Sequence, residues 1–387
     1  MIEPFKNWLG RAAICGMADH LARVAPDFHE TGFDDYGFIA YATYGLDDLE
    51  LKQRSNRICD ALERYLPNDF QTAANILVAS LEPSSDISLS DMETGITQQG
   101  IRGWPVAPMA DYIARRGQHD VALSLGVLKE MTTRSSSEFA IRPFLDNHTQ
   151  TTLKIITPWC RDDNEHVRRL VSEDTRPRLP WGMRLHQFVK DPAPVVTLLE
   201  RLRDDPSEYV RRSVANNLND MAKDHADMVA DLAQRWIRDA PPERARLIRH
   251  GLRTLIKAGH PGALAALGYG PARIALARFE ILTPAITLGG AVEFSLALSS
   301  TAKSNQPLII DYAVHHMRAN GRATPKVFKW KTVTLKPGEI LNATRRHAIR
   351  PITTRRYYPG QHRVEVLINA HAFGGFDFVL KMQLPLI

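Results

Sequence analysis

Three acidic residues, Glu138, Glu173 and Asp220, stand in segments crowded with arginine: SSEFAIRPFL, SEDTRPRLPWG and SEYVRRSVANNLND. A carboxylate among guanidinium groups is either neutralised by them or held for a cationic target. Glu138 follows three serines and is expected to open a helix, where an acid also complements the positive end of the dipole. Asp220 closes a helical stretch, where an acid opposes the dipole at a cost of about 0.3–1 kcal/mol. That local cost points to a role beyond folding. Trp181 lies between two prolines and a glycine in RPRLPWGMRL, so it is expected on a loop or helix entry, either as a plug between elements or as an aromatic face for a cationic ring or sugar.

The elements that must position these residues are helical over the first two thirds of the chain. From Pro4 to about Leu267 apolar residues recur at spacings of three and four, as in Val195, Leu198, Leu199, Leu202 and in Val210, Val214, Leu218, Met221. Prolines fall mostly between these stripes or at their starts. A repeat runs through them: NEHVRRLVSED from Asn164 aligns with SEYVRRSVANN from Ser207 at an offset of 43, each after an aspartate-rich turn, and a weaker copy begins at Glu243. A period of about 40–47 built on helix pairs is the HEAT/armadillo pattern, whose second helices line a concave trough. Here that trough would carry Arg168, Arg169, Arg211 and Arg212, unless they pair with acids of adjacent repeats. The offset equates Glu173 with Asn216, and Asp220 follows Asn216 by four, so all three are expected on one face.

The pattern changes near residues 268–271. Short alternating runs follow (Val292 to Leu298, Leu308 to Val314, His362 to Ile368, Phe376 to Leu380), separated by turn signals such as Lys336-Pro337-Gly338. About seven short strands are expected, the rhythm of an immunoglobulin-type β-sandwich. The fold class is therefore mainly α: a HEAT-like-repeat α-solenoid over residues 1–267, then a β-sandwich over 272–387.

Charge is uneven. Residues 272–387 carry 16 Lys+Arg against 6 Asp+Glu, or +10, while the rest of the chain carries −4. A local basic surface is the electrostatic footprint of an anionic partner, nucleic acid above all. Arg345, Arg346, Arg350, Arg355 and Arg356, with Tyr357 and Tyr358, read as a loop-borne basic patch suited to a DNA backbone or minor groove. Cys15, Cys59 and Cys160 are far apart and suggest neither disulfides nor a zinc site. There is no long uncharged apolar run and no leader pattern at the N-terminus, so a cytoplasmic protein without membrane contact is expected.

SEFAIRPFL, SE-x-TRPRLPW and DDPSEYVRRSVANNLND closely resemble the AlkC family of DNA alkylation repair proteins, which are HEAT-like-repeat DNA glycosylases. EPFKNWLG and the GWPVAPMADYIARRG segment around Trp104 resemble it too. The β-rich C-terminus is similar to the immunoglobulin-like domain of one branch. The chain departs from the family pattern at Asp174, where glycine is expected. The resemblance implies a monofunctional glycosylase removing cationic N3-alkylated bases, 3-methyladenine and 3-methylcytosine, from double-stranded DNA, acting as a monomer and needing no cofactor or metal. It implies that Glu138, Glu173 and Asp220 are catalytic, with Trp181 and Asn216 contacting the lesion. Arg142, Arg169, Arg176, Arg178, Arg211 and Arg212 would hold phosphates. A base already positively charged leaves without a general acid, so carboxylates need only stabilise an oxocarbenium-like sugar and position a water. The three segments contain no lysine to form an imine. The alternative is a non-catalytic repeat scaffold binding nucleic acid or protein, with the acids as helix caps.

Overall fold

In a computed structural model that describes residues 4–26, 36–83, 95–353 and 355–382, helices occupy the chain up to Ala266 and strands follow from Ile274. Two units are distinguished, Met1–Asp224 and His225–Ile387.

In the first unit the regular elements among the described residues are helices, with one isolated bridge between Leu81 and Ile101. The stripes fold as their spacing requires. Val195, Leu198, Leu199 and Leu202 are buried on the helix Ala193–Leu202, and Val210, Val214, Leu218 and Met221 on the helix Glu208–Met221. The 43-residue repeat has a physical basis. The helices Glu165–Asp174 and Glu208–Met221 begin at equivalent positions and pack together. Before each, an aspartate caps the turn: Asp162 Oδ1 accepts from the Asn164 N–H and Asp205 Oδ1 from the Ser207 N–H, both at 2.9 Å. One turn into each helix an arginine reaches back to that turn. Arg168 donates to the carbonyls of Asp162 and Asp163, and Arg211 to those of Asp205 and Pro206. Arg168 also meets the Asp205 carboxylate at 2.7 and 3.0 Å, tying one copy to the next.

Glu138 differs from expectation. It sits in a turn, and the helix starts only at Arg142, because Pro143 takes the first turn where its missing N–H is not needed.

The second unit opens with the helices Ala226–Ile237, Pro242–Gly251, Arg253–Ala258 and Pro261–Ala266. Among the described residues eight strands follow: β1 (Ile274–Ile281), β2 (Ala285–Thr287), β3 (Ala291–Ser300), β4 (Gln306–Met317), β5 (Ala323–Leu335), β6 (Ile340–Ala348), β7 (Gly360–Ile368) and β8 (His371–Lys381). They form a three-stranded sheet, β1-β3-β6, and a five-stranded one, β2-β8-β7-β4-β5, antiparallel except for β2 with β8. Alternate residues make the core: Val292, Phe294, Leu296 and Leu298 of β3 meet Leu308, Ile310, Tyr312 and Val314 of β4 and Val364, Val366 and Ile368 of β7. Among the described residues β5 pairs on one side only, and Lys326, Lys329 and Lys331 along it discourage a second chain from adding to that edge. Arg345 and Arg346 are not loop residues; they lie on β6, half-buried and exposed respectively, as the strand period dictates.

Candidate active site

The three acids converge in the first unit as one chain of alternating charge. Arg169, on the Glu165–Asp174 helix, donates to Glu138 Oε2 and stands 3.5 Å from Glu173 Oε1. Arg176, just past that helix, donates to Glu173 Oε1 and, at 2.8 Å, to Asp220 Oδ2. Lys223 closes the row on Asp220 Oδ1 at 3.0 Å. Glu138, Arg169, Glu173, Arg176, Asp220 and Lys223 thus lie in sequence, each carboxylate beside at least one cation. Asp220 needs this most, because it sits in the last turn of its helix, where the dipole is against it.

Burial is graded along the row: the side chain of Glu138 is 15% exposed, that of Glu173 6% and that of Asp220 4%. Burial pushes the Glu173 carboxyl up, but Arg169, Arg176 and the Ser213 hydroxyl, which donates at 2.6 Å, outweigh it and hold the group below its ordinary value. Glu173 is therefore a firmly ionised carboxylate. Burial works against the Arg169 proton as well, but Glu138 and Glu173 hold that guanidinium above its usual range. The ring of Tyr209 lies 5.2 Å from it.

Asp174 behaves differently. It is fully buried, neither carboxylate oxygen has a hydrogen-bond partner among the described residues, and burial raises it well above its usual value. Its equivalent one repeat on is Asn217, whose amide donates to the Ser172 carbonyl at 2.8 Å and the Thr175 hydroxyl at 3.2 Å. Ser213 and Asn217 were missed in the sequence. Their signal was polar residues four apart on the otherwise apolar stripe of Val210 and Val214.

Behind the row, Arg142 corrects an expectation. It is fully buried, and its guanidinium donates to the carbonyls of Met183, Asp174 (2.6 Å) and Arg176 (2.9 Å). Burial, above all, lowers its pKa to about 10. A group so enclosed does not reach a phosphate; it pins the 175–185 loop from beneath. Gly182 fits closely there, since a Cβ would come within 3.2 Å of Arg142 Nε and 3.1 Å of a Leu179 methyl. On this pinned loop Trp181 is no plug: it is 67% exposed and has φ +64°, a conformation costly for any side chain but glycine.

The other candidates separate into groups. Arg169 and Arg176 are engaged with the acids. Arg178 grips Asp224 through two bonds of 2.8 and 2.6 Å. Arg211 is turned to its own turn's carbonyls, and Arg212 reaches Glu208 in an exposed pair at 3.0 Å. Asn216 is half-buried on the same helix as Asp220. In the second unit Arg346 pairs with Glu293 at 3.2 Å, Arg345 lies over Tyr312 and Arg356 over Tyr358. Arg345, Lys326 and Arg355 add to the burial that drives His347 down to about 4, and Arg355 acts likewise on His316, so these cations gather around one region of the sandwich. No group of three or more metal-ligating side chains is found among the described residues, and no helix among them is long and apolar enough to cross a membrane.

Residues 275–382 match the family model described as "Uncharacterised protein YhaZ, C-terminal Ig-like domain". The chain is 34% identical over 369 residues to the YhaZ protein of Bacillus subtilis (strain 168), covering 94% of this chain and 96% of that one. Among solved structures it resembles Pseudomonas fluorescens alkylpurine DNA glycosylase AlkC bound to DNA containing an abasic site analog. The TM-score is 0.85 and the identity 35%, over 98% of this chain and all of the other.

Proposed function

This chain belongs to the AlkC family, in the branch with a C-terminal immunoglobulin-like domain, and from that premise we propose that it is a DNA glycosylase for cationic N3-alkylated bases, 3-methyladenine and 3-methylcytosine. One observation carries the reading: Glu138, Glu173 and Asp220, at the positions the family resemblance assigns to catalysis, form a single row of carboxylates. The helical part, residues 1–267, is read as a HEAT-like-repeat solenoid carrying the site. The basic sandwich, 272–387, is read as a second DNA-binding body. This division follows the change from helix to strand, whereas compactness alone divides the chain after Asp224.

The chemistry needs no general acid, because rupture of C1′–N returns the bonding pair to a ring that was already cationic. Positive charge then grows on the sugar. Glu173, held ionised by its guanidinium neighbours, supplies negative charge at any pH near neutrality. Glu138 is the most exposed of the three, which supports reading it as the acid that meets sugar or water. Arg169 and Arg176 keep the acids in register. Trp181 and Asn216 are assigned to the lesion. The protein works as a monomer, by hydrolysis, without cofactor or metal.

The pairing of every acid with a cation also suits a second reading, a binding scaffold in which the row is purely structural. Incubating the protein with a duplex holding one 3-methylcytosine and assaying for an abasic site separates the two. Glu173→Gln and Asp220→Asn are expected to retain DNA binding while losing about 10²–10³-fold in single-turnover excision. An unchanged rate in both sinks the assignment.

A further inference from the structure

The acid row leaves unused a cavity of about 270 Å³ in the first unit, walled by Trp104, Phe139 and Trp181 with Lys52, Ser55 and Asp111 among its polar lining. It opens beside the row: Phe139 follows Glu138 in the chain, and Ser136, also on its wall, donates its hydroxyl to Glu138 at 2.9 Å.

Its size and surface select the occupant. Cavities for drug-sized ligands begin at about 300 Å³, so this one, at the bottom of that range, is large enough for a single flat ring system. Three aromatic walls offer stacking to any base. Polar edges of both kinds are present, the Lys52 ammonium as donor and the Asp111 carboxyl, which accepts from Ser55 Oγ at 2.8 Å.

Charge narrows the choice further. The Lys52 ammonium already lies 5.9 Å from the centre of the Phe139 ring and donates to the Trp181 carbonyl, so a cation is already part of the cavity's lining. Burial raises the Asp111 carboxyl above its ordinary value, against the lowering by the Ser55 hydroxyl, Arg115 and Lys52. A second cation is repelled here, while an uncharged heteroaromatic ring is not. An N3-alkylated base is cationic in DNA, but heterolysis of its C1′–N bond sends the bonding pair into the ring and the base departs uncharged.

We propose that this cavity seats the free, uncharged alkylated base after excision, with Trp181 shared between the lesion surface and the product seat. The assignment rests on the glycosylase reading.

The test is direct binding, without DNA. Free 3-methyladenine titrated into the full-length protein is expected to quench tryptophan emission saturably, whereas the similarly sized cation 3,9-dimethyladeninium at the same concentrations is not. Trp104→Ala and Ala107→Leu, the latter filling the cavity from its helical wall, are each expected to weaken the free base by about tenfold or more. Thermal unfolding identifies a variant that fails to fold, in which case the other decides. In multiple turnover, added free base should slow the wild type and not the variants. Absence of saturable binding, equal affinity for the cation, or unaltered affinity in the folded variants overturns the proposal. If free base binds and lesion DNA is left intact, the glycosylase reading falls and the product assignment falls with it; if lesions are excised and free base does not bind, only the seat falls.

Discussion

Asp174 and Glu173 are adjacent in the chain and opposite in behaviour, and the difference lies in what surrounds each oxygen. Glu173 receives two guanidinium groups and a hydroxyl, whereas Asp174 receives no hydrogen bond from a described residue and is driven toward its neutral form by burial. Its folded pKa lies above that of the unfolded chain, so the folded state binds the extra proton. What Asp174 contributes is therefore present below its ordinary value of 3.8 and is lost as pH rises toward the folded value. Asn217 occupies the equivalent position one repeat later, so an amide fits this niche. Asp174→Asn is expected to stabilise the protein at neutral pH by about 1–3 kcal/mol. The gain should shrink as the buffer is made acidic. Denaturant melts of both proteins at pH 4 and pH 8 measure it, and a difference that does not change with pH would show that Asp174 is ionised in the folded state.

At the scale of elements, much of the first unit was legible because its repeat is written in types that recur: an aspartate to cap the turn, a valine to bury and an arginine to reach back, 43 residues apart. The pairing of the acids was not legible, since Arg169 meets Glu138 across a sequence separation of 31 and Arg176 meets Asp220 across 44. Nor does any local pattern distinguish Arg142, which anchors a distant loop, from an arginine facing a phosphate. That loop holds Trp181 at φ +64°, exposed, so the conformation is maintained by the residues beneath it rather than by the tryptophan's own packing. A non-glycine residue there costs about 1–2 kcal/mol. Trp181→Gly should therefore raise the melting temperature of the protein by a few degrees while weakening excision from lesion DNA. A variant that melts lower than wild type would mean that the indole supports the loop, and its assignment to the lesion would lose its argument.

For the molecule as a whole, the boundary between helices and strands was visible as a change of period from 3.6 to 2, and the asymmetry of charge followed the same boundary. What composition could not give was the placement of that charge. Arg345 and Arg346 lie on successive positions of β6 and so point to opposite faces, whereas Arg345, Arg355 and Lys326 surround His347 closely enough to help keep its imidazole neutral down to about pH 4. The region therefore keeps the same histidine charge throughout the neutral range, and its attraction for a polyanion rests on arginine and lysine alone. If the sandwich holds duplex DNA, each phosphate contact removed should reduce the slope of log K against log[salt] by about 0.9. Replacing Arg345, Arg346, Arg355 and Arg356 together by alanine should then flatten the slope by up to about 3.6 and weaken damaged and undamaged duplexes alike, since backbone contacts carry no lesion information. Single-turnover excision at saturating protein should change little, because the carboxylate row belongs to the other unit. A salt slope identical to wild type would mean that these four arginines face solvent in the complex, leaving the helical part to supply the phosphate contacts.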